Sequence, residues 1–242
     1  KPGRSKLTTS MSKPRYWLIV PAAGSGQRMK ADCPKQYLRL DHQYILDITL
    51  SRLLDNADFS GCVVAIRADD PWWPETAASS NARIESCAGG AERADSVLSA
   101  LEALASRADD DDWVLVHDAA RPCLHPNDLE RLLTQLQDHP VGGLLATPVA
   151  DTLKLVASDS SQVETTIDRR HLWRALTPQM FRCGALRMAL KAAIASGYPV
   201  TDEASAMEYA GNVPCIVEGR PDNIKITVPA DLALAGFILS RL

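Results

Sequence analysis

The chain has 242 residues, and its 26 lysines and arginines against 30 aspartates and glutamates give a formal net charge of −4. Hydrophobic residues make up 46% and charged residues 23% of the sequence, a globular balance that excludes a disordered chain, a collagen-like fibre and a coiled-coil rod. A general nucleic-acid binder is also disfavoured, because such proteins usually carry a basic face, whereas this chain is acidic.

The sequence also bears on the compartment. It contains no run of about 18 apolar residues, so no membrane-spanning helix is predicted. Residues 1–15 are basic and polar without the apolar centre of a secretory signal, and Met11 is a candidate original start; we expect residues 1–15 to be a flexible extension or an expression remnant. The six cysteines form no CxxC pair, and we expect buried thiols in a reducing cytoplasm.

The first half of the chain alternates short apolar runs with amphipathic segments. Residues 16–21 predict a buried strand that leads into a glycine-rich turn, and residues 45–54 predict a helix with leucines on one face. Predicted strands at 62–66 and 83–87 follow, then a helix at 92–106, the clearest buried strand at 113–117, a helix at 127–137 and a strand at 143–149. Asn127 and Glu130 have the spacing of a capping box.

The second half begins with a change of pattern. Residues 151–170 are polar without a sustained helical period, which predicts an extended arm or a long functional loop. The remaining predicted elements are helices at 184–196 and 202–210, strands at 214–217 and 223–227, and a C-terminal helix from Pro229. Thr201 is predicted to cap the helix that follows it.

Buried strands that alternate with amphipathic helices imply βαβ units. We therefore predict an α/β, Rossmann-like fold: a mostly parallel, twisted sheet flanked by helices. We expect one domain over residues 16–242, with a protruding arm at about 150–170. Parallel sheets bind ligands at the carboxyl ends of their strands, so the motifs that follow predicted strands are expected to share one site.

A glycine-rich segment follows the first predicted strand. It reads Pro21-Ala-Ala-Gly-Ser-Gly-Gln-Arg-Met29, and Pro34-Lys-Gln-Tyr37 comes shortly after. Its glycines allow backbone N–H groups to approach a phosphate, and Arg28 and Lys35 supply positive charge for a triphosphate. No Gly-Lys-Ser/Thr closes a Walker A loop. The third glycine of a GxGxxG fingerprint is also missing, which disfavours a nicotinamide oxidoreductase.

Seven further segments follow in order along the chain. They are Gly89-Gly-Ala-Glu-Arg-Ala-Asp-Ser96, Val116-His-Asp-Ala-Ala-Arg-Pro122, Asp151-Thr-Leu-Lys154, Asp168-Arg169, Leu176-Thr-Pro-Gln179, Thr201-Asp-Glu-Ala-Ser205 and Val217-Glu-Gly-Arg-Pro-Asp-Asn-Ile-Lys225. With the glycine-rich loop they resemble the 2-C-methyl-D-erythritol 4-phosphate cytidylyltransferases, nucleotidyltransferases of the non-mevalonate isoprenoid pathway. Eight segments in the right order, from about Trp17 to the C-terminus, are far more specific than any one alone.

The resemblance implies transfer of a cytidylyl group from CTP to 2-C-methyl-D-erythritol 4-phosphate, with release of pyrophosphate and with Mg²⁺ as the cofactor. Ala91 is one departure, because related sequences often carry Asp there. The catalytic residues that the resemblance implies are Arg28, Lys35 and Lys225. The CTP-binding residues that it implies are Pro21, Ala22, Ala23, Gly24, Ser25, Gly26, Gly90, Ala91 and Ser96.

The resemblance also implies an acceptor site and a homodimer. Asp118 is in addition the candidate metal ligand, directly or through water. The 150–170 arm is expected to cross to the partner subunit, where Thr152 and Arg169 would contact an acceptor bound mainly by that subunit. Nucleic acid and membrane are not expected as partners. The acceptor-binding residues that the resemblance implies are Asp118, Arg121, Thr152, Arg169, Thr177 and Thr201.

Two residues can be interpreted from their sequence neighbours. Lys225 lies between Ile224 and Ile226, so on a strand its side chain would face away from theirs and toward a cleft. His117 is more typical of a buried, hydrogen-bonded histidine than of a catalyst, and we leave it out of the site. Two alternatives stay open: a ribitol 5-phosphate cytidylyltransferase and a non-catalytic nucleotide-binding module.

Overall fold

The computed structural model describes residues 14–24 and 32–242. Its elements confirm most of the predicted order, within a residue or two at their ends. In chain order they are β1 (Tyr16–Pro21), β2 (Arg39–Leu40), β3 (Gln43–Tyr44), α1 (Ile45–Leu54), β4 (Gly61–Ile66), β5 (Ile84–Ala88), α2 (Arg93–Leu104), β6 (Trp113–Val116), α3 (Pro126–Leu136), β7 (Gly142–Pro148), β8 (Leu153–Val156), β9 (Val163–Ile167), β10 (Trp173–Arg182), α4 (Cys183–Ala195), α5 (Glu203–Tyr209), β11 (Cys215–Glu218) and α6 (Pro229–Leu239).

Seven of the described strands form one sheet in the order β11-β7-β10-β6-β1-β4-β5. The pairs β1–β4, β1–β6, β4–β5 and β7–β11 are parallel, and Leu18 of β1 lies between Cys62 and Leu115 of its neighbours. Strand β10 runs antiparallel between β6 and β7. The predicted α/β fold with a mostly parallel sheet is therefore confirmed, with one antiparallel strand in its middle.

The alternation of side chains along β1 divides the core into two layers. Leu18 and Val20 pack on the side of α1 and α3, whereas Trp17 and Ile19 pack on the side of α2 and α4, and all four are at most 3% exposed. Both faces of β1 are thus covered, which explains why its sequence is continuously apolar rather than alternating.

Three local predictions are wrong. Residues 223–227 form no strand, although the amide of Ile226 donates to the carbonyl of Ala120 at 2.9 Å. The N-cap of α3 is His125, whose ring accepts from the Asn127 amide, because Pro126 occupies the first helical position. The N-cap of α5 is Asp202, whose carboxylate accepts from the Ser205 amide and replaces the predicted threonine cap.

The polar stretch at 151–170 contains an antiparallel hairpin formed by β8 and β9. Most of its side chains are exposed, including the apolar residues Leu155, Val156 and Val163. The hairpin leaves the sheet after β7 and returns into β10.

Among the described residues, no helix has the length and apolar character needed to span a membrane.

Candidate active site

A cavity of about 650 Å³ opens where β1, β5 and β6 end. These strands are parallel, so their carboxyl ends lie at one edge of the sheet, as expected for an α/β ligand site. Three loops and one residue from the C-terminal part of the chain form its wall. The lining residues are Pro21, Ala22, Ala23, Gly24, Lys35, Gln36, Gly90, Ala91, Glu92, Arg93, Ser96, Asp118, Ala119, Ala120 and Lys225.

Gln36 fixes the loop that follows β1. Its side-chain amide donates to the carbonyl oxygens of Ala22 at 2.6 Å and Gly24 at 3.1 Å, and the residue is only 3% exposed. A side chain buried in this way loses its hydration, so the two hydrogen bonds are needed to compensate. The described part of the glycine-rich loop is therefore held in shape by the Pro34–Tyr37 segment.

Tyr37 anchors the 3-10 turn (Lys35–Tyr37) that carries Lys35. Its hydroxyl donates to the Asp70 carboxylate at 2.8 Å, and its ring stacks on Trp72 with centroids 5.8 Å apart. Burial and this acceptor carboxylate both raise the pKa of Tyr37, which stays a neutral donor. The turn thus places Lys35 at the cavity on a rigid aromatic support.

The loop between β5 and α2 approaches the opposite side of the cavity. A Cβ atom at Gly90 would lie 2.2 Å from the Cβ atom of Asp95, so no side chain fits there without movement. The Ser96 hydroxyl accepts from the Gly90 amide at 3.1 Å and donates to the Glu92 carbonyl at 3.1 Å. Because its proton is used within the turn, Ser96 has only acceptor capacity left for a ligand.

Asp118 lies directly beyond β6 and binds three cations. Its Oδ1 atom accepts from Arg93 Nε at 3.0 Å, and its Oδ2 atom lies 3.2 Å from Arg121 Nε and 3.0 Å from Lys225 Nζ. Burial alone would raise the pKa of the Asp118 carboxyl, but the three cations hold it well below its usual range. The side chain is therefore a carboxylate at neutral pH and positions the cations around it.

Arg93 connects Asp118 to helix α5. Its Nη1 and Nη2 atoms donate to the two carboxylate oxygens of Glu203 at 2.6 and 3.1 Å. Burial alone would lower the pKa of Arg93, but the two carboxylates raise it above its ordinary value. A two-pronged ion pair of this kind fixes both the position and the plane of the guanidinium group.

A second cavity, of about 560 Å³, lies beside the first and shares three residues with it. The shared residues are Arg93, Asp118 and Lys225, so the charged cluster forms the common wall. The pKa of Arg121 is lowered by burial and by the nearby charges of Arg93 and Arg174, and the Asp118 carboxylate partly offsets this decrease. The other residues that line this cavity are Arg121, Ala175, Leu176, Thr177, Gln179, Thr201 and Asp202.

His117 supports this wall from inside the core, as its sequence context indicates. Its Nε2 atom lies 3.0 Å from the Arg121 carbonyl and must donate to it, so Nδ1 accepts from the Thr177 hydroxyl at 3.0 Å. The same hydroxyl accepts from the Asp118 amide at 3.1 Å. Burial lowers the pKa of His117 to about 4, so the ring is neutral at physiological pH.

The irregular segment around Lys225 is tied to the same wall by its backbone and by Asn223. The buried side-chain amide of Asn223 donates to the Thr177 backbone carbonyl at 2.8 Å, and the Asn223 backbone carbonyl accepts from Arg121 Nη1 at 2.7 Å. Ile226 is fully buried, whereas Lys225 lines both cavities. The opposite orientations expected from the sequence are thus present although no strand forms.

The structure brings most of the predicted site residues to these two cavities. The first cavity gathers Pro21, Ala22, Ala23, Gly24, Lys35, Gly90, Ala91, Ser96 and Lys225. The second gathers Arg121, Thr177 and Thr201, and both Asp118 and Lys225 line the two cavities. Ser25, Gly26 and Arg28 lie outside the described residues. Thr152 and Arg169 are exposed near the two ends of the hairpin and are absent from the described lining of either cavity.

Three residues that hold the site together were not predicted: Gln36, Arg93 and Glu203. All three stand inside segments that the sequence singles out, so their positions in those segments were an available signal. Glu203 follows the predicted cap of a helix, where an acidic residue is expected for the helix dipole alone. Its place in the Thr201–Ser205 segment therefore does not reveal that its partner is Arg93.

The described residues do not provide a magnesium site made of protein side chains alone. They contain no group of three or more histidine, cysteine or acidic side chains placed to hold a metal. Both oxygens of Asp118 already accept from cations, so a direct metal bond would have to displace one of them. Mg²⁺ often keeps its waters and binds through substrate phosphates, which this donor set allows.

A cavity at the carboxyl ends of parallel strands, beside a second cavity with which it shares a charged wall, is typical of an α/β enzyme that acts on anionic substrates. The model of the family described as "IspD: 2-C-methyl-D-erythritol 4-phosphate cytidylyltransferase" matches residues 16–241. The chain belongs to this family. The predicted family and its activity as a cytidylyltransferase are thereby confirmed.

Individual relatives agree with the family model. The chain is 56% identical to the 2-C-methyl-D-erythritol 4-phosphate cytidylyltransferase of Ectopseudomonas mendocina over 220 residues, which cover 90% of this chain and 93% of the relative. It is 55% identical to the Pseudomonas entomophila enzyme of the same name over the same shares. The crystal structure of the Francisella tularensis enzyme superposes with a TM-score of 0.81 at 38% identity, covering 93% of this chain and 99% of that one.

Proposed function

We propose that this chain transfers the cytidylyl group of CTP to 2-C-methyl-D-erythritol 4-phosphate within the two described cavities. The product is 4-diphosphocytidyl-2-C-methyl-D-erythritol, and pyrophosphate leaves. The observation that carries the proposal is the wall of Arg93, Asp118 and Lys225 that the two cavities share. A reaction between two phosphates needs each substrate in its own pocket and cations where the pockets meet.

The first cavity receives CTP in this proposal. The backbone of Pro21–Gly24 faces the triphosphate, and Gly90, Ala91 and Ser96 face the base. The family resemblance assigns Ser25 and Gly26 to CTP binding as well. The remaining acceptor capacity of Ser96 suits the amino group of cytosine, because uracil presents an oxygen at the same position. Lys35 adds charge on the phosphate side, and the family resemblance assigns the same role to Arg28.

The second cavity receives the acceptor. Arg121, whose Nε and Nη1 atoms already donate to Asp118 and to the Asn223 carbonyl, adds positive charge for its phosphate, and Thr177 and Thr201 lie on the same wall. The Thr177 hydroxyl is already hydrogen-bonded to the Asp118 amide and to His117, so its role includes the shape of the wall as well as contact. Lys225 lies between the two cavities, where the α-phosphate and the acceptor phosphate would meet.

The chemical step requires no general base. An oxygen of the acceptor phosphate, ionised at neutral pH, forms a bond to the α-phosphorus of CTP, and the bond from that phosphorus to the bridging oxygen breaks. The leaving pyrophosphate carries away the electron pair. Lys225, with Arg28 and Lys35, stabilises the charge that develops during this displacement. We assign magnesium to the incoming nucleotide as MgCTP, because the described residues lack a protein-only metal site.

The hairpin of β8 and β9 completes the site in a homodimer. It is exposed over most of its length and presents the apolar residues Leu155, Val156 and Val163 to solvent, which favours burial against a second copy of the chain. In that arrangement Thr152 and Arg169 reach the acceptor cavity of the partner subunit. In this proposal residues 16–242 form one domain that includes the arm.

A reducing, cytoplasmic location fits the six free cysteines. The function itself is tested by pyrophosphate release with CTP and Mg²⁺, in parallel with 2-C-methyl-D-erythritol 4-phosphate and with ribitol 5-phosphate. Release with only the first acceptor is expected. Release with ribitol 5-phosphate would overturn the acceptor assignment, and silence with both, in a folded protein that binds CTP, would favour a nucleotide-binding module.

A further inference from the structure

We propose that Glu203 is a positioning residue that holds Arg93 against Asp118 and thereby shapes the acceptor cavity. The inference rests on the proposed function, since it concerns the acceptor half of the same site. Glu203 is the first residue of α5 and is 1% exposed. Within the described lining it touches neither cavity, whereas Arg93 lines both. Its influence on a substrate therefore passes through Arg93.

The geometry makes Arg93 a bridge between two carboxylates. Its Nε atom donates to Asp118 Oδ1 at 3.0 Å, while its Nη1 and Nη2 atoms donate to Glu203 at 2.6 and 3.1 Å. The end of the guanidinium fork is thus occupied by Glu203, and one edge is left for Asp118. Only a carboxylate offers two acceptor oxygens for that end of the fork.

Loss of this carboxylate would change the competition for Asp118. A glutamine at position 203 accepts through one oxygen and turns its own N–H groups toward the guanidinium. Arg93 would then gain more by closing its fork on Asp118, whose Oδ2 atom also serves Arg121 and Lys225. Arg121, the cation proposed for the acceptor phosphate, would then lose its fixed position beside Asp118.

The acceptor half depends on this contact more than the nucleotide half does. Thr201 and Asp202, which line the acceptor cavity, immediately precede α5, and Glu203 ties the start of that helix to α2. The nucleotide half has separate supports, because Gln36 holds the loop after β1 and Ser96 holds Gly90. A defect at Glu203 is therefore expected to separate the two substrates.

The test compares Glu203→Gln with Glu208→Gln, the same change at an exposed residue of the same helix. Steady-state pyrophosphate release gives kcat and the KM for 2-C-methyl-D-erythritol 4-phosphate, and calorimetry gives the Kd for MgCTP without acceptor. We expect E203Q to raise the acceptor KM about tenfold or more and to lower kcat. The CTP Kd should stay within about twofold, as should every parameter of E208Q.

A second pair of variants shows whether Glu203 acts through Arg93 and keeps the test decisive if E203Q does not fold. Arg93→Met leaves the buried Glu203 carboxylate without its cation, whereas the double variant Arg93→Met/Glu203→Met removes both charges and is the variant expected to fold better. If Glu203 acts through Arg93, the second substitution changes the acceptor KM by no more than about twofold beyond the first. A further large increase in the double variant would refute the inference.

Other outcomes are equally distinct. A wild-type acceptor KM in folded E203Q would overturn the positioning role while leaving the proposed function intact. An equal loss of CTP affinity would indicate general loosening of the site and would also overturn it. A wild-type protein that releases no pyrophosphate would overturn the proposed function and this inference together.

Discussion

Replacement of Lys225 by methionine removes one cation from the wall between the two cavities. The methionine keeps most of the aliphatic length, so the packing of the stem is preserved while the ammonium group is lost. In the native protein that group lies 3.0 Å from Asp118 Oδ2 and lines both cavities. It is the cation best placed to contact both phosphates during transfer.

The expected changes in stability and in turnover follow from the contacts that remain after the substitution. Asp118 keeps Arg93 and Arg121 as partners, and the Lys225 side chain is 35% exposed, so the free energy of unfolding should fall by no more than about 1 kcal/mol. Loss of one preorganised donor to a developing charge typically costs about 3–4 kcal/mol of transition-state stabilisation. Turnover should therefore fall by about 10²–10³ while the protein stays folded.

The assay is continuous pyrophosphate release at saturating MgCTP and acceptor, with a thermal melt of each variant. Lys191→Met is the matched control, because Lys191 forms an ion pair with Glu102 at 2.6 Å on the surface and lines neither cavity in the described residues. Lys191→Met should retain wild-type turnover. If Lys225→Met turned over at near the wild-type rate, the role assigned to this lysine would be wrong.

Three further predictions test other parts of the site. Gln36→Glu turns a carboxylate toward two backbone carbonyls and should destabilise the fold by about 3 kcal/mol and weaken CTP binding measured by calorimetry. Gln135→Glu, the same change at an exposed residue, is the control. Unchanged CTP binding in Gln36→Glu would refute the role of Gln36 in holding the loop after β1. The proposed homodimer is tested by equimolar mixing of Lys225→Met and Arg169→Ala subunits, which should recover about a quarter of wild-type activity. About half of the dimers would then be mixed, and one of the two sites in each would have both residues; no recovery would contradict the shared site. His117 has a lower pKa in the folded protein (about 4) than in the unfolded chain (about 6.5), so the folded state is destabilised as pH falls from about 6.5 to 4, by up to about 3 kcal/mol. The free energy of unfolding of His117→Gln, measured in urea, should therefore depend less on pH than that of the wild type. An equal pH dependence in the two proteins would contradict the buried neutral ring.

The elements predicted from periodicity are those whose burial follows a simple pattern. Helices α1 to α6 and the continuously apolar strands of the sheet fall in this group. Strand β10 was missed because Thr177 and Gln179 are buried polar residues within it, and their partners, His117 and Asp202, are distant in sequence. A strand that buries polar groups for its site does not show the pattern of a strand that buries only apolar groups.

The opposite error at residues 223–227 has a related cause. Isoleucines that alternate with polar residues predict a strand, and their side chains do pack inward around Ile226. The backbone, however, is used to bring Lys225 beside Asp118, and a loop carbonyl of Ala120 takes the Ile226 amide. Side-chain periodicity reports burial, whereas strand formation needs a neighbouring backbone in register.

The candidate site divides in the same way between what motifs show and what only the fold shows. Residues that approach a ligand stand in short motifs with recognisable chemistry, such as the loop after β1 and Lys225. Residues that orient them are paired over long distances: Arg93 and Glu203 are 110 residues apart in sequence. Neither residue's neighbours in sequence reveal the pair, so its role emerges only from the fold, which brings the first residues of α2 and α5 together.

A carboxylate at the centre of a site for two polyanions has an electrostatic reason. Arg93, Arg121 and Lys225 would repel one another in a partly buried wall, and Asp118 keeps them within hydrogen-bond distance of one group before any substrate arrives. Glu203 offsets a second charge, so three cations face two carboxylates and one positive charge remains for the substrates. Because the cations are held in place by other residues, they need little reorganisation when phosphate charge develops between the two cavities, and such preorganisation is the main source of electrostatic catalysis.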